Sequence, residues 1–397
     1  MGQIINTKTS GTIGSVIGIA RSFLVNTKLL VKLAYAKGFK ENLAHRAVHY
    51  LNLCNDSSST SQYKSLSAAM QLLWSYATTL LGILSFILVT VTTVASPVFA
   101  KSQTVIAITE IVEHPALEEA KTGILDVLKE SGYIDGKNLK IIERNAQGSV
   151  ANARLIAEHF VHLNPDAIVA ISTPSAQSVL KLAKNVKIPI VFTSVTDPMA
   201  AGLVSDISVA DENITGAMDY PPINEIVDLI KAVTPNIKTL GILYNSGEIN
   251  SVTTVNLIKK AINNQWKIVE STIHNSSQAS QGLYRLVNKV DAVYLPSDNT
   301  VFASMPTLVQ IARKHKLPLF ANEPMGVKQG VLACAGYTQY AVGRTAGELL
   351  VKRLRGSTNL KVEKPQKIEI FINKTSADII GINIAEKILG RTVQIVE

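Results

Sequence analysis

The sequence predicts an α/β chain of two lobes, each a parallel sheet flanked by helices, with a ligand cleft between them. Three observations predict it. From residue 101 onward, short β-rich runs alternate with amphipathic helical stretches, the pattern of strand–helix–strand units with right-handed crossovers. The alternation restarts near residue 221, which gives a second set. Unbroken apolar runs such as Ala167–Ile171 (AIVAI) fit strands covered on both faces.

The elements follow in order. A strand at 105–109 (VIAIT) opens the first lobe. Residues 116–131 place Leu117, Ala120, Ile124, Leu125 and Leu128 at helical spacing. Strand 139–142, helix 150–163, strand 167–171, helix 175–183 and strand 189–193 (PIVFT) come next, and 213–218 closes this half. The second set runs helix 223–233, strand 239–244 (TLGILY), helix 252–263, strand 266–271 and helix 277–286. Strand 292–295 (AVYL), helix 300–315 and strand 317–321 (LPLFA) complete it. The tail holds 330–335, a helix at 339–355, a strand at 367–372 and a helical stretch to 389. Isolated elements of this kind return to finish both lobes. The expected division is therefore 101–220 for the first lobe, completed by about 336–360, and 221–335 for the second, completed by about 361–397.

The first hundred residues stand apart. The 397-residue chain carries a net charge of +9, which taken whole hints at nucleic acid or an anionic membrane. Residues 1–100 hold eight basic and two acidic residues, a net of +6, leaving only +3 for 101–397. Residues 1–65 read as a basic extension outside the fold. From Leu66 to Ala100 no residue is charged, and the run from Met70 is long enough to span a bilayer. It ends Ser96-Pro97-Val98-Phe99-Ala100, whose small residues after a proline suit the exit of a signal peptide. A cleaved export signal and an uncleaved anchor both place 101–397 outside the cytoplasm, in the periplasm or its equivalent. An organelle transit peptide and a start at Met70 are weaker alternatives. The basic flank fits the cytoplasmic side of such a segment. Cys54 and Cys334 lack CxxC neighbours, so neither a cysteine zinc site nor a redox motif is indicated.

In open α/β sheets ligands bind beyond the carboxyl ends of the strands. The loops there contain Glu110 to Pro115, Ser172 to Gln177, Ser194 to Pro198, Tyr244 to Ser251, Pro296 to Thr300 and Asn322 to Pro324. Ser172-Thr173-Pro174 reads as a helix start whose free N–H groups suit a carboxylate, or as a simple cap by Thr173. Asp197 and Glu323 can pair with an ammonium, although Asp197-Pro198 reads equally as a turn. Asn299 offers donor and acceptor together. Tyr244 and Tyr337 can stack on an aromatic group or simply pack. His114, before Pro115, reads as a loop residue that fixes backbone or touches ligand. No GxSxG, HExxH or P-loop occurs, and the seven histidines are scattered. Neither an enzyme, a metal nor a cofactor is expected.

The motifs TEIVEHPALEEAKTGILDVLKESGY, NAQGSVANARLIAEHF, PDAIVAISTPSAQS, IPIVFTSVTDPMAAGLV, LGILYNSGEINS, VDAVYLPSDNTV and GYTQYAVGRTAGELL, in this order across about residues 104–375, closely resemble the ABC-transporter substrate-binding family that includes tryptophan-binding proteins. The resemblance implies a type I periplasmic-binding-protein fold with three crossovers between lobes. It implies a receptor that closes on an aromatic or other apolar amino acid and delivers it to a membrane permease. Carried over, Thr173, Pro174, Ser175, Ala176 and Gln177 would hold the ligand carboxylate. Glu113, Asp197, Asn250, Asn299, Glu323 and Tyr337 would line the rest. The sequence departs from the family at NEPMGVKQG, where a loop with Asp is usual.

The reading is a monomeric solute-binding protein that makes and breaks no bond, with a small-molecule ligand, an ABC permease as partner, and no nucleic acid. The alternative is a membrane-tethered sensing module of the same fold. An extracytoplasmic enzyme would need a nucleophile–base pair that the sequence does not offer. A sugar-repressor relative would need a helix-turn-helix head, which residues 1–100 do not resemble.

Overall fold

The computed structural model describes residues 103–183, 186–209, 211, 213–384 and 393–396. The extension, the apolar run and the helical stretch expected near 385–389 lie outside the described residues. Among the described residues, no helix is long and apolar enough to cross a membrane.

The first sheet is built from β1 (Thr104–Glu110), β2 (Leu139–Asn145), β3 (Ala167–Ile171), β4 (Ile190–Val195) and β5 (Ile214–Met218). They pair in the order β2-β1-β3-β4-β5, all parallel. Helices α1 (Pro115–Glu130), α2 (Val150–Leu163) and α3 (Thr173–Ala183) connect them. β3, β4 and β5 are buried along their whole length, as expected of strands covered by helices on both faces.

The second lobe begins with α4 (Ile223–Val233), then β6 (Thr239–Asn245), α5 (Ile249–Ile262) and β7 (Lys267–Ile273). A 3₁₀ turn at Ser276–Gln278 and α6 (Ala279–Tyr284) stand where one helix was expected. After β8 (Ala292–Leu295) the expected helix 300–315 is two helices, α7 (Asn299–Phe302) and α8 (Met305–Lys314). Pro306 causes the break: it has no N–H to donate, and its ring would meet the carbonyl four residues earlier. β9 (Leu319–Ala321), α9 (Pro324–Lys328) and β10 (Ala333–Gly336) follow, then α10 (Gln339–Leu354), β11 (Glu369–Asn373), α11 (Lys374–Ile380) and β12 (Val393–Val396). The sheet order is β12-β11-β10-β9-β8-β6-β7. It is parallel except between β10 and β11, which are antiparallel. β12 has no counterpart in the sequence expectation.

α10 belongs to the first lobe. It packs on α1 and touches β4 and β5, and Val342, Ala346, Leu349 and Leu350 share a core with Ile106, Ile124 and Leu128. Glycines allow the approach: a Cβ on Gly343 would overlap the Ala120 carbonyl, and one on Gly123 would overlap the Tyr340 carbonyl. The described chain thus passes between the lobes three times: after β5, before α10 and before β11. Each sheet reverses strand order once, at β1/β3 and at β6/β8. At such a point the neighbouring loops diverge to opposite faces and leave a crevice.

Candidate functional site

The loops at these two crevices, with those after β4, β5 and β9, form one pocket between the lobes. Its walls are His114, Ala116, Leu117, Ser194, Thr196, Asp219 and Gln339 from the first lobe and its connections, and Asn250, Ser297, Asp298, Asn299, Phe302 and Glu323 from the second. They surround about 360 Å³, part of it continuous with solvent. No Lys or Arg is among the described residues that line it.

Of the first-lobe hydroxyls, those of Ser194 and Thr196 belong to residues that line the pocket. Ser172 and Ser194 end adjacent strands in left-handed backbone, with φ of 84° and 55°, a conformation that costs energy for a residue with a Cβ and gathers at functional sites. Ser194 Oγ donates to Gln339 Oε1 at 2.7 Å. Thr109, Ser172, Thr173, Ser175 and Thr193 are at most 1% exposed, yet their hydroxyls meet no hydrogen-bond partner in the protein. Buried hydroxyls are normally bonded. These stand at the carboxyl ends of β1, β3 and β4 and in the first turn of α3, where unpaired N–H groups and the helix dipole favour an anion. Thr173 therefore does not cap its helix: its hydroxyl bonds nothing.

Asp219 follows β5 in the first passage between lobes. It is buried; Oδ2 accepts from Gln339 Nε2 at 2.9 Å, and Oδ1 has no partner. Burial raises its pKa, against the bond from Gln339. His114 precedes α1 and is buried, its ring 6.1 Å from that of Phe302 in the other lobe. Burial lowers its pKa to about 4, opposed by a side-chain bond with Asn299, so the imidazole is neutral at neutral pH.

The second-lobe wall is held by two carboxylates. Glu248, before α5, accepts from Asn250 Nδ2 (3.0 Å), from Asn299 N (3.1 Å) and Nδ2 (2.6 Å), and from Thr300 N (3.1 Å) and Oγ1 (2.8 Å). Asp298 caps α7 through Val301 N at 2.8 Å and also accepts from Asn245 N and Ser251 Oγ, both at 2.6 Å. Burial, and then the nearby Glu248, raise the Asp298 pKa. Glu323 caps α9, accepting from Met325 N at 3.0 Å and Gly326 N at 3.2 Å. Burial pushes its pKa up to about 8, with Glu119 and Asp219 adding to the rise.

Of the residues singled out in the sequence, Asn250, Asn299 and Glu323 line the pocket. Thr173 and Ser175 carry unpartnered hydroxyls in the first turn of α3 but are not among the residues that line the pocket. Ala176 lies in the first-lobe core. Gln177 is exposed and donates to Ala201 O at 3.0 Å, facing a wider groove at the cleft edge with Pro174. Glu113 is exposed and outside the pocket; its neighbour His114 enters instead. Asp197 closes a turn, Oδ1 accepting from Met199 N and Ala200 N. Tyr337 belongs to the first-lobe core, and Tyr244 packs in the second, donating to Glu270 Oε2 at 2.7 Å. Ser194, Thr196 and the organising Glu248 lie in loops the sequence pointed to without being singled out there, whereas Asp219, Phe302 and Gln339 lie outside those loops. Asp219 carried a legible signal, since it directly follows a strand as the chosen loops do. Among the described residues, no cluster of three His, Cys, Asp or Glu could hold a metal ion. Cys334 is a free, buried thiol.

Residues 105–396 match the family described as ABC transporter substrate binding protein. This chain belongs to that family. The ABC substrate-binding family is extracytoplasmic, and the two sheets with their cleft are its type I periplasmic-binding fold. The curated tyrosine-binding protein of Clostridioides difficile strain R20291 is 39% identical over 278 residues, 69% of this chain and 80% of that protein. Among solved structures, a Streptococcus pneumoniae ABC domain in complex with L-Trp is 32% identical, with 74% of this chain and all of that one covered and a TM-score of 0.71. The ligand-free, open structure of a Clostridium difficile substrate-binding protein is 35% identical, with 74% and 99% covered and a TM-score of 0.56.

Proposed function

We propose that this substrate-binding protein captures an aromatic amino acid between its lobes, closes on it, and presents it to an ABC permease outside the cytoplasm. The observation that carries the reading is the set of buried polar atoms without partners. Five hydroxyls beside the start of α3 suit a carboxylate, and Asp219 Oδ1 suits an ammonium. Together they match the two charges of an amino-acid zwitterion, while Leu117, Phe302 and neutral His114 offer an apolar and aromatic wall. The tyrosine-binding and tryptophan-bound relatives support the ligand class. The better superposition on the tryptophan-bound chain than on the open one, at near-equal coverage, supports a closed lobe arrangement here. In this reading the uncharged stretch 66–100 exports or anchors the receptor, and an intact mass beginning at Lys101 would identify cleavage.

Calorimetry of the purified protein against the twenty amino acids tests the proposal. Saturable heat with tyrosine or tryptophan is expected. Silence with every aromatic and aliphatic amino acid would overturn it.

A further inference from the structure

The hydroxyl set and Asp219 account for a zwitterionic head on the first-lobe side, but one buried polar atom on the opposite wall is left over. Asn250 lines the pocket from the start of α5 and is 4% exposed. Its Nδ2 donates to Ser297 O at 2.6 Å and to Glu248 Oε2 at 3.0 Å. Both partners are acceptors, so turning the amide over would set Oδ1 against a carbonyl and a carboxylate. The orientation is thereby fixed. Glu248 is itself held by the backbone N–H groups of Asn299 and Thr300, so the whole assembly is rigid. Oδ1 is buried and has no partner in the protein, on a residue that lines the pocket. It is an obligate acceptor, and it sits on the lobe that carries Phe302.

We propose that Asn250 Oδ1 accepts a hydrogen bond from a donor on the ligand's side chain, so that the pocket takes tyrosine and tryptophan in preference to phenylalanine. The inference rests on the aromatic-ligand reading above. A phenol O–H and an indole N–H each end an aromatic group with one donor. Phenylalanine would fill the same apolar space and leave the buried amide oxygen unpaired. Sites built around such a bond discriminate strongly against the analogue that lacks it.

The test is calorimetry with tyrosine, tryptophan and phenylalanine on the unaltered protein and on Asn250→Ala, with a thermal melt to confirm folding of the variant. The unaltered protein is expected to bind tyrosine and tryptophan at least about tenfold more tightly than phenylalanine. Asn250→Ala is expected to weaken tyrosine and tryptophan about tenfold or more and phenylalanine less than about threefold, so the preference collapses. Equal affinity of the unaltered protein for all three would overturn the inference while leaving the aromatic-ligand reading intact. Equal weakening of all three in the variant would overturn it too, because Asn250 would then serve the shared head group or the fold. No binding of any of the three would overturn the reading and the inference together. Should Asn250→Ala fail to fold, the preference of the unaltered protein decides alone.

Discussion

Asp219 and Glu323 are both buried carboxyls in the pocket, yet their surroundings give them different work. Asp219 has one oxygen free of protein partners, while both oxygens of Glu323 accept from a helix start. Asp219→Asn keeps the size and removes the charge that would meet an ammonium. It is expected to weaken amino-acid binding about a hundredfold, measured by calorimetry, with the melting temperature unchanged or higher because a buried charge has gone. Asp197→Ala, at the turn outside the pocket, should change affinity less than about threefold and serves as the control. Glu323 acts on stability. Its carboxyl, raised from 4.5 to about 8, keeps its proton when folded and loses it when unfolded, so stability falls as pH climbs through that interval. His114, lowered from 6.5 to about 4, must shed its proton on folding, so its contribution is lost as pH falls from 6.5 toward 4. The two oppose each other below 6.5, and between 6.5 and about 8 the loss from Glu323 is no longer opposed by His114. In urea titrations of ligand-free protein, Glu323→Gln should flatten that decline by up to about 1.4 kcal/mol per pH unit. An undiminished slope would exclude Glu323 as its source. The acidity of Glu323 could not be read from the sequence, because it depends on burial by residues far along the chain.

At the scale of elements, alternation of apolar runs carried most of the fold. β3 and β8 are short, fully buried strands whose sequences contain little else than apolar residues, and β4 is equally buried with Thr193 and Ser194 near its end. The pattern fails where a local geometric rule overrides periodicity. Pro306 splits a helix whose apolar spacing continues through it. The first turn of α9 is closed by Glu323, a longer and less usual capping residue than Asp or Asn, so the segment looked like a loop. The contact of α1 with α10 could not be seen at all, since its signal is only a set of small residues in two distant helices. It makes a sharp prediction. Gly343→Ala places a methyl on the Ala120 carbonyl and should destabilise the protein by about 2 kcal/mol in urea titrations, although alanine favours a helix more than glycine does. A neutral or stabilising result would mean that the two helices can separate without cost.

For the molecule as a whole, the pocket and the passages between lobes share residues. Asp219 lies in the first passage and Gln339 directly after the second, and they are hydrogen-bonded to each other, with Ser194 bonded to Gln339. A ligand that engages Asp219 therefore touches a residue of the first passage between the lobes. A second link lies at the rim, where Lys328 of α9 donates to Glu119 of α1 at 3.0 Å. Both ends are partly exposed, so the pair is a weak latch. Glu119→Gln should weaken binding by less than about fivefold, and the difference from the unaltered protein should vanish in high salt. A larger, salt-independent loss would place Glu119 in the recognition of ligand. The cleft itself was legible, because strand ends announce it. Its lining was legible only in part: Asn250, Asn299 and Glu323 lie in loops adjoining strands, whereas Gln339 reaches the pocket from a helix of the tail. The late position of that helix also governs timing. The first lobe lacks Val342, Ala346, Leu349 and Leu350 until Gln339–Leu354 has left the ribosome, so the half that is made first cannot finish first. The first lobe is thereby left unfinished while β6 to β10 of the second are already made.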